Sequence, residues 1–181
     1  MHNFKNLNAL LGLILLATVS LTFTSCGDDD DTVDLENRMV IDGTSYDLEA
    51  GFFTDFGDNG NGSFDFDLWV SDDAISVQNG TLTGTGNGLY LDLNSGVETG
   101  LESGTYTFAV NRAPFTIVAG SAAFTNFNFN TASGTQIAVT SGTAVLNITG
   151  NTYDIDFDLM GLNGINQVEI TGNYSGVVQE F

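Results

Sequence analysis

The chain has 181 residues and a formal net charge of −20, because 23 acidic residues outnumber three basic ones. This charge repels nucleic acid and excludes nucleic-acid binding. The one histidine (His2), the one lysine (Lys5) and the one cysteine (Cys26) all lie near the N-terminus. The rest of the chain therefore lacks the groups that Ser-His-Asp or Cys-His catalysis, zinc sites, Schiff bases and disulfides require.

Residues 1–25 have the pattern of a secretory signal peptide. They carry His2 and Lys5 and no acidic residue, and an apolar run over Ala9–Leu16 continues with small hydroxyl residues up to Phe23. A membrane-spanning helix needs about 20 predominantly apolar residues, and this run is shorter. We therefore predict a signal peptide that is removed from the mature protein.

Cys26, which follows directly, is predicted to carry a lipid. Phe23-Thr24-Ser25-Cys26 resembles the lipobox of bacterial lipoproteins, and Gly27 with the acidic run Asp28–Asp31 resembles the surface-export signal of Bacteroidota lipoproteins. The resemblance implies an acylated Cys26 in the outer membrane and a protein that faces the cell surface, with the periplasmic leaflet as the alternative. The polar, acidic residues 26–37 predict a flexible tether after the lipidated cysteine.

Residues 38–181 are predicted to form a single all-β domain. Apolar residues recur at every second position, and clusters of Gly, Asn, Asp and Ser separate the runs. The predicted strands are Met39–Ile41, Ser45–Phe53, Ser63–Val70, Ile75–Gln78, Gly88–Leu93, Gly104–Val110, Phe115–Val118, Ala122–Phe129, Thr135–Ser141, Thr143–Thr149, Thr152–Met160 and Gln167–Gln179. We expect an antiparallel β-sandwich, with a squashed up-and-down β-barrel of the lipocalin type as the alternative.

The C-terminal third has the clearest pattern, which predicts a three-stranded antiparallel meander with one face exposed to solvent. Two glycines, Gly172 and Gly176, fall on the buried face of its last strand and indicate a bend, as at a barrel corner. Its predicted inward residues are Ala144, Leu146, Ile148, Tyr153, Ile155, Phe157, Leu159, Val168, Ile170 and Tyr174. The opposite wall is expected from Phe64, Phe66, Leu68, Val70, Leu89, Leu91, Leu93, Tyr106, Phe108, Val110, Phe127 and Phe129.

Three elements of this domain resemble parts of small Bacteroidota lipoproteins. They are the Leu-x-Ser-Gly-Thr-Tyr-Thr stretch at Leu101–Thr107, the alternating strand Tyr153–Leu159 and the Gly-x-Tyr-x-Gly stretch at Gly172–Gly176. The resemblance implies the fold and the location, and it brings no activity with it.

The best candidate ligand-binding residues are Trp69, Tyr90, Asp65 and Asp67. Alternation places Trp69 on the polar face of its strand with the two aspartates, and Tyr90 beside Asp92 on the polar face of another strand. Aromatic rings next to carboxylates offer a sugar both an apolar platform and acceptors for its hydroxyls. The alternative is that Trp69 covers a sheet edge or packs under a loop.

Other charged residues have weaker functional interpretations. Asp55 and Asp58 lie in or beside a Gly-rich loop that resembles a calcium site without the EF-hand spacing, and the alternative is an ordinary Asn/Gly turn. Calcium is the only cofactor that the sequence suggests. Asp154, Asp156 and Asp158 are more typical of solubilising charge than of catalysis. Arg112 is predicted to be a turn residue bonded to backbone rather than a substrate clamp.

These patterns favour a non-catalytic binding module that is anchored to the membrane and binds polysaccharide at the cell surface. The alternative is a structural or accessory subunit that docks an outer-membrane protein. The sequence gives least support to a carboxylate-only glycosidase, which would require two carboxyl groups about 5–10 Å apart across a cleft.

Overall fold

The computed structural model describes residues 37–181, which form strands joined by turns and loops. The strands are β1 (Arg38–Ile41), β2 (Thr44–Asp47), β3 (Ala50–Asp58), β4 (Phe64–Ser71), β5 (Ile75–Gln78), β6 (Thr81–Ser95), β7 (Gly104–Phe108), β8 (Thr116–Ile117), β9 (Ala122–Asn128), β10 (Ser133–Thr149), β11 (Thr152–Asn163) and β12 (Asn166–Glu180). The prediction of an all-β fold is confirmed. Within residues 37–181, no helix has the length and apolar character needed to cross a membrane.

Eight of these strands close into a barrel. Their order is β11, β10, β7, β8, β6, β4, β3 and β12, and β12 pairs back onto β11. The closing contact is a short parallel pairing that joins Val178–Glu180 of β12 to Gly51–Phe53 of β3. The prediction of a β-sandwich is therefore wrong, because this pairing joins the edges that two separate sheets would leave open.

The alternative prediction of a barrel is confirmed in that the sheet is closed. The strand order, however, is not the simple up-and-down order that was predicted. Two neighbouring pairs, β12–β3 and β7–β8, run parallel. Four further strands are added to the ring: the β1–β2 hairpin on β12, β9 between β6 and β10, and β5, which pairs with the first part of β6. The β5–β6 hairpin belongs to a separate small sheet.

The predicted C-terminal meander of β10, β11 and β12 is confirmed. Its predicted inward residues face the core, and Asp154, Asp156 and Asp158 are exposed on the outer face. On β12, Gly172 has φ +152°, and a Cβ there would lie 1.9 Å from the carbonyl oxygen of Arg38. Glycine is required at this position because β1 and β12 approach too closely for any side chain.

Side chains fill the barrel interior. Residues at alternate positions of β4, β6, β10, β11 and β12 point inward, together with Met39 and Tyr106. Alternation along the same strands places the intervening residues on the outer face. The prediction that Phe127 and Phe129 belong to the opposite core wall is wrong, because both rings pack on the outside, against Phe124 and Trp69. It is wrong for Val110 as well, because this residue follows the end of β7 and is 89% exposed.

The predicted signal peptide (1–25) and Cys26 lie outside the described residues, as does the predicted tether up to residue 36. Asn37, the last residue assigned to that tether, is bonded to β12. Its Nδ2 donates to the carbonyl oxygen of Ser175 at 3.1 Å, and its Oδ1 accepts from the amide of Ser175 at 2.6 Å. Asn37 therefore belongs to the folded domain, one residue before the predicted domain boundary.

Candidate functional site

The candidate site lies on the outer face of β3, β4 and β6. On β4 the alternation that buries Phe66 and Leu68 turns Asp67 and Trp69 outward. The antiparallel register then sets Trp69 opposite Tyr90 and Asp67 opposite Asp92 on β6. Residues that are distant in the sequence become direct neighbours across this sheet.

A cluster of aromatic rings surrounds Trp69. Trp69 stacks on Tyr90 with ring centroids 4.4 Å apart and an interplanar angle of 24°, and it lies nearly parallel to Phe124 at 5.6 Å. Phe129 meets Trp69 edge-on at 5.5 Å. Each such pair stabilises a fold by about 0.5–1.5 kcal/mol beyond the burial of area. The cluster therefore holds the half-buried Trp69 in one orientation.

Trp69 also forms part of the wall of an open cleft of about 540 Å³. The β5–β6 hairpin contributes Gly80, Thr81 and Leu82 to the cleft wall, and β3 contributes Thr54 and Phe56. The lining residues are Thr54, Phe56, Asp67, Trp69, Gly80, Thr81, Leu82, Phe129 and Phe181. The cleft thus combines four aromatic rings and two threonine hydroxyls with a single charged side chain, that of Asp67.

Asp67 is held in place by Tyr90. The Tyr90 hydroxyl donates a hydrogen bond of 2.6 Å to Oδ1 of Asp67. Burial raises the pKa of Asp67, and the hydrogen bond from Tyr90 opposes that rise because it stabilises the charged form. Burial and the neighbouring carboxylates place the pKa of Tyr90 far above its usual range. Tyr90 therefore remains a proton donor at any physiological pH.

Beside the cleft, Arg112 binds two carboxylates. Its Nη1 donates to Oδ1 of Asp65 and, at 2.9 Å, to Oδ1 of Asp92, while Nη2 donates to Oδ2 of Asp92 at 2.8 Å. The Asp92 side chain is only 8% exposed. The prediction that Arg112 bonds to backbone is therefore wrong for its side chain, although its carbonyl oxygen accepts from Nδ2 of Asn61.

The single positive charge of Arg112 is shared by the carboxylates of Asp65 and Asp92, so one of their two negative charges is not neutralised. Burial and the charge of Asp65 raise the pKa of Asp92 to about 7, against the opposing influence of Arg112. The raised pKa of Arg112 follows from its bonds to both acids, which outweigh its own burial.

The carboxylate oxygens of Asp65, Asp67 and Asp92 lie within 4.8 Å of one another. Three carboxylates are a donor set that suits Ca²⁺ or Mg²⁺. Nη1 of Arg112, however, already lies in contact with both Asp65 and Asp92. The guanidinium therefore already brings one positive charge to this group of three acids.

Asp55 and Asp58, the predicted calcium candidates, each bond to their own turn. Oδ1 of Asp55 accepts from the amide of Gly57 at 2.7 Å, and Oδ1 of Asp58 accepts from the amide of Gly60 at 2.7 Å. Both side chains are exposed. In both cases a carboxylate oxygen accepts from the amide two residues further on, as in an Asx turn. Calcium binding at these residues stays a prediction.

Of the four predicted ligand-binding residues, the structure brings Trp69 and Asp67 together in the cleft. Tyr90 lies behind them as a stacking and hydrogen-bonding partner, and Asp65 is bound by Arg112. Sequence reasoning missed Phe56, Phe129 and Phe181. Of these, only the exposed Phe56 carried a signal, because it stands in a polar Asp/Gly/Asn stretch where an apolar ring is unusual.

Comparisons with known proteins do not indicate a function. No protein-family model, no curated protein and no solved structure matches this chain. The function has to be inferred from the cleft itself.

Proposed function

We propose that this protein is a lipid-anchored surface module that binds carbohydrate in the cleft at Trp69 and does not catalyse a reaction. The observation that carries the proposal is the composition of the cleft wall: four aromatic rings with one carboxylate and two hydroxyls. Ligand sites of this kind are largely apolar and contain a few convergent polar groups.

The rings supply apolar contact for the C–H faces of a sugar. Phe56 is 63% exposed at the end of β3, so its ring is available to a ligand without any rearrangement. Trp69 is held by its aromatic neighbours, which lowers the entropic cost of ordering it on binding. Asp67, Thr54 and Thr81 offer hydrogen-bond partners for sugar hydroxyls.

Non-catalytic binding is favoured over hydrolysis by the position of the acids. A glycosidase needs two carboxyl groups on either side of the scissile bond. Among residues 37–181, Asp67 has the only acidic side chain that lines the cleft, and Asp65 and Asp92 are both bound to Arg112.

The proposed location rests on the sequence around Cys26 and Asp28–Asp31, which resembles the anchor and export signal of Bacteroidota surface lipoproteins. A cleft on the outer wall of a barrel that is tethered by a lipid would be open to polysaccharides outside the cell. Metabolic labelling with a palmitate analogue tests the anchor, and Cys26→Ser should abolish incorporation of the label.

The binding proposal is tested by retention of the full-length, detergent-solubilised protein on a panel of immobilised polysaccharides. Phe56→Ala removes an exposed ring from the cleft, and Val110→Ala is the control, because Val110 is 89% exposed and does not line the cleft. We expect retention to fall about tenfold for Phe56→Ala, since losing one aromatic contact costs about 1–1.5 kcal/mol. Trp69→Ala should abolish retention.

The thermal melting temperature separates loss of binding from loss of fold, and it should be unchanged in Phe56→Ala. Retention on no polysaccharide, or equal retention of wild type, Phe56→Ala and Trp69→Ala, would refute the proposal. The alternative of an accessory subunit would then be preferred.

A further inference from the structure

We propose that the cleft selects amino sugars whose nitrogen is protonated, an inference that rests on the proposed carbohydrate binding and names its substrate class. The relevant observation is the one-sided charge of the cleft. Its single charged side chain is that of Asp67, and neither of the two arginines within residues 37–181 lines the cleft. A uronic acid or a sulfated sugar would find no cationic partner there.

Asp67 has one oxygen to offer a ligand. Its Oδ1 accepts from Tyr90, and within residues 37–181 its Oδ2 takes part in no hydrogen bond. An ammonium group is the natural partner for such an oxygen, because a charge-assisted hydrogen bond is about twice as strong as a neutral one. The hydroxyl of Tyr90 keeps the carboxylate oriented.

The surroundings of Asp67 add to its negative potential. One carboxylate oxygen of Asp65 and one of Asp92 lie within 4.8 Å of an oxygen of Asp67, and Arg112 brings one positive charge to these three acids. The chain as a whole has a formal net charge of −20. The field at the cleft therefore attracts cations and repels anions.

The aromatic walls favour the same ligand. The faces of Trp and Phe rings carry negative partial charge and attract a cation within about 6 Å of the ring centre. Trp69 lines the cleft together with Asp67, and Phe129 meets Trp69 edge-on at 5.5 Å. An amino sugar can place its ring carbons on the aromatic wall and its ammonium group at Asp67.

The test compares two short oligosaccharides with the same backbone, a trimer of glucosamine and a trimer of N-acetylglucosamine. Each is titrated into the full-length protein at physiological salt, where exposed charges are screened within about 8 Å. Trp69 is the only tryptophan of the chain and lies in the cleft, so its fluorescence reports binding there. We expect the glucosamine trimer to bind about tenfold more tightly.

Two matched variants separate the cleft from the acidic surface. Asp67→Asn and Asp156→Asn each remove one negative charge, but Asp156 lies exposed on β11 and does not line the cleft at Trp69. Asp67→Asn should abolish the preference for glucosamine, and Asp156→Asn should leave it unchanged. Melting temperatures confirm that both variants fold.

Equal affinity for the two trimers, or an equal loss of preference in both variants, would overturn the inference. Retention of neutral polysaccharides in that case would still support the cleft as a carbohydrate site. If neither trimer binds and no polysaccharide is retained, the proposed function fails as well.

Discussion

Replacing Arg112 with alanine should destabilise the fold far more than the same change at Arg38, although both residues form ion pairs. Asp92 is 8% exposed in its pair with Arg112, whereas Arg38 and Asp47 are 41% and 70% exposed, with 3.5 Å between their charged atoms. The variant Arg112→Ala leaves Asp92 buried without a counter-charge and beside Asp65. Breaking a buried pair costs about 3–5 kcal/mol, and an exposed pair contributes about 0–1 kcal/mol.

The lower end of the buried range applies here, because the Arg112 side chain is itself 35% exposed and water can partly replace it. We therefore expect Arg112→Ala to lower the free energy of unfolding by about 3 kcal/mol and Arg38→Ala by about 0.5 kcal/mol. Urea unfolding at pH 8 measures both values, with the fluorescence of Trp69 as the probe. At that pH, above the folded-state pKa of Asp92 of about 7, Asp92 is charged.

A double-mutant cycle with Asp92→Asn tests the cause. If the loss comes mainly from the uncompensated Asp92, Arg112→Ala should cost clearly less in the Asp92→Asn background, where the pair with Asp65, which is 18% exposed, is the ion pair that remains to be broken. Equal losses for Arg112→Ala and Arg38→Ala, or the same loss in both backgrounds, would refute the reasoning.

Two further outcomes follow from the structure. The pKa of Asp92 is about 7 in the fold against 3.8 for the free side chain. Between these two pH values the folded state binds more protons than the unfolded state, so the free energy of unfolding falls as the pH rises. Urea unfolding from pH 4 to pH 8 should show a smaller decrease in the free energy of unfolding for Asp92→Asn than for wild type. Gly172→Ala should lower the free energy of unfolding by about 3 kcal/mol or more through its clash with Arg38, whereas Gly164→Ala, at φ +64° with open space around it, should cost about 1 kcal/mol. Similar losses at the two glycines, or parallel pH curves for wild type and Asp92→Asn, would contradict these expectations.

The sequence predicted the fold well where the pattern is local. Alternation placed β11 and β12 with the correct inward residues, and β5 was predicted with the correct bounds. Predicted Ser45–Phe53 is two strands, β2 and β3, because the buried Leu48 and the exposed Glu49 form a corner between them. The strands predicted at 135–141 and 143–149 are one bent strand, β10, with an irregularity after Val139.

Closure of the barrel could not be predicted in the same way. It depends on three residue pairs between β3 and β12, and alternation is the same whether a strand edge is free or paired. A sandwich and a barrel therefore share one pattern of inward and outward residues.

The candidate site was predictable only in part. Period-two alternation turned Trp69 and Asp67 outward, as observed. It could not indicate that Phe129 and Phe181 would lie beside them, since that contact depends on how β9 and the end of β12 pass the outer face. Nor could it indicate that Arg112 would reach over β6 to bury Asp92.

The pairing of β12 with β1, β3 and β11 has a consequence for biosynthesis. A chain that emerges from the ribosome in order must keep β1, β3 and β11 without this partner until residues 166–180 have been made. During that interval three strand edges are open to pairing with other chains. The growing polypeptide should therefore depend on chaperones that bind unfolded chains. A chain truncated before β12 should aggregate more readily than the full-length protein.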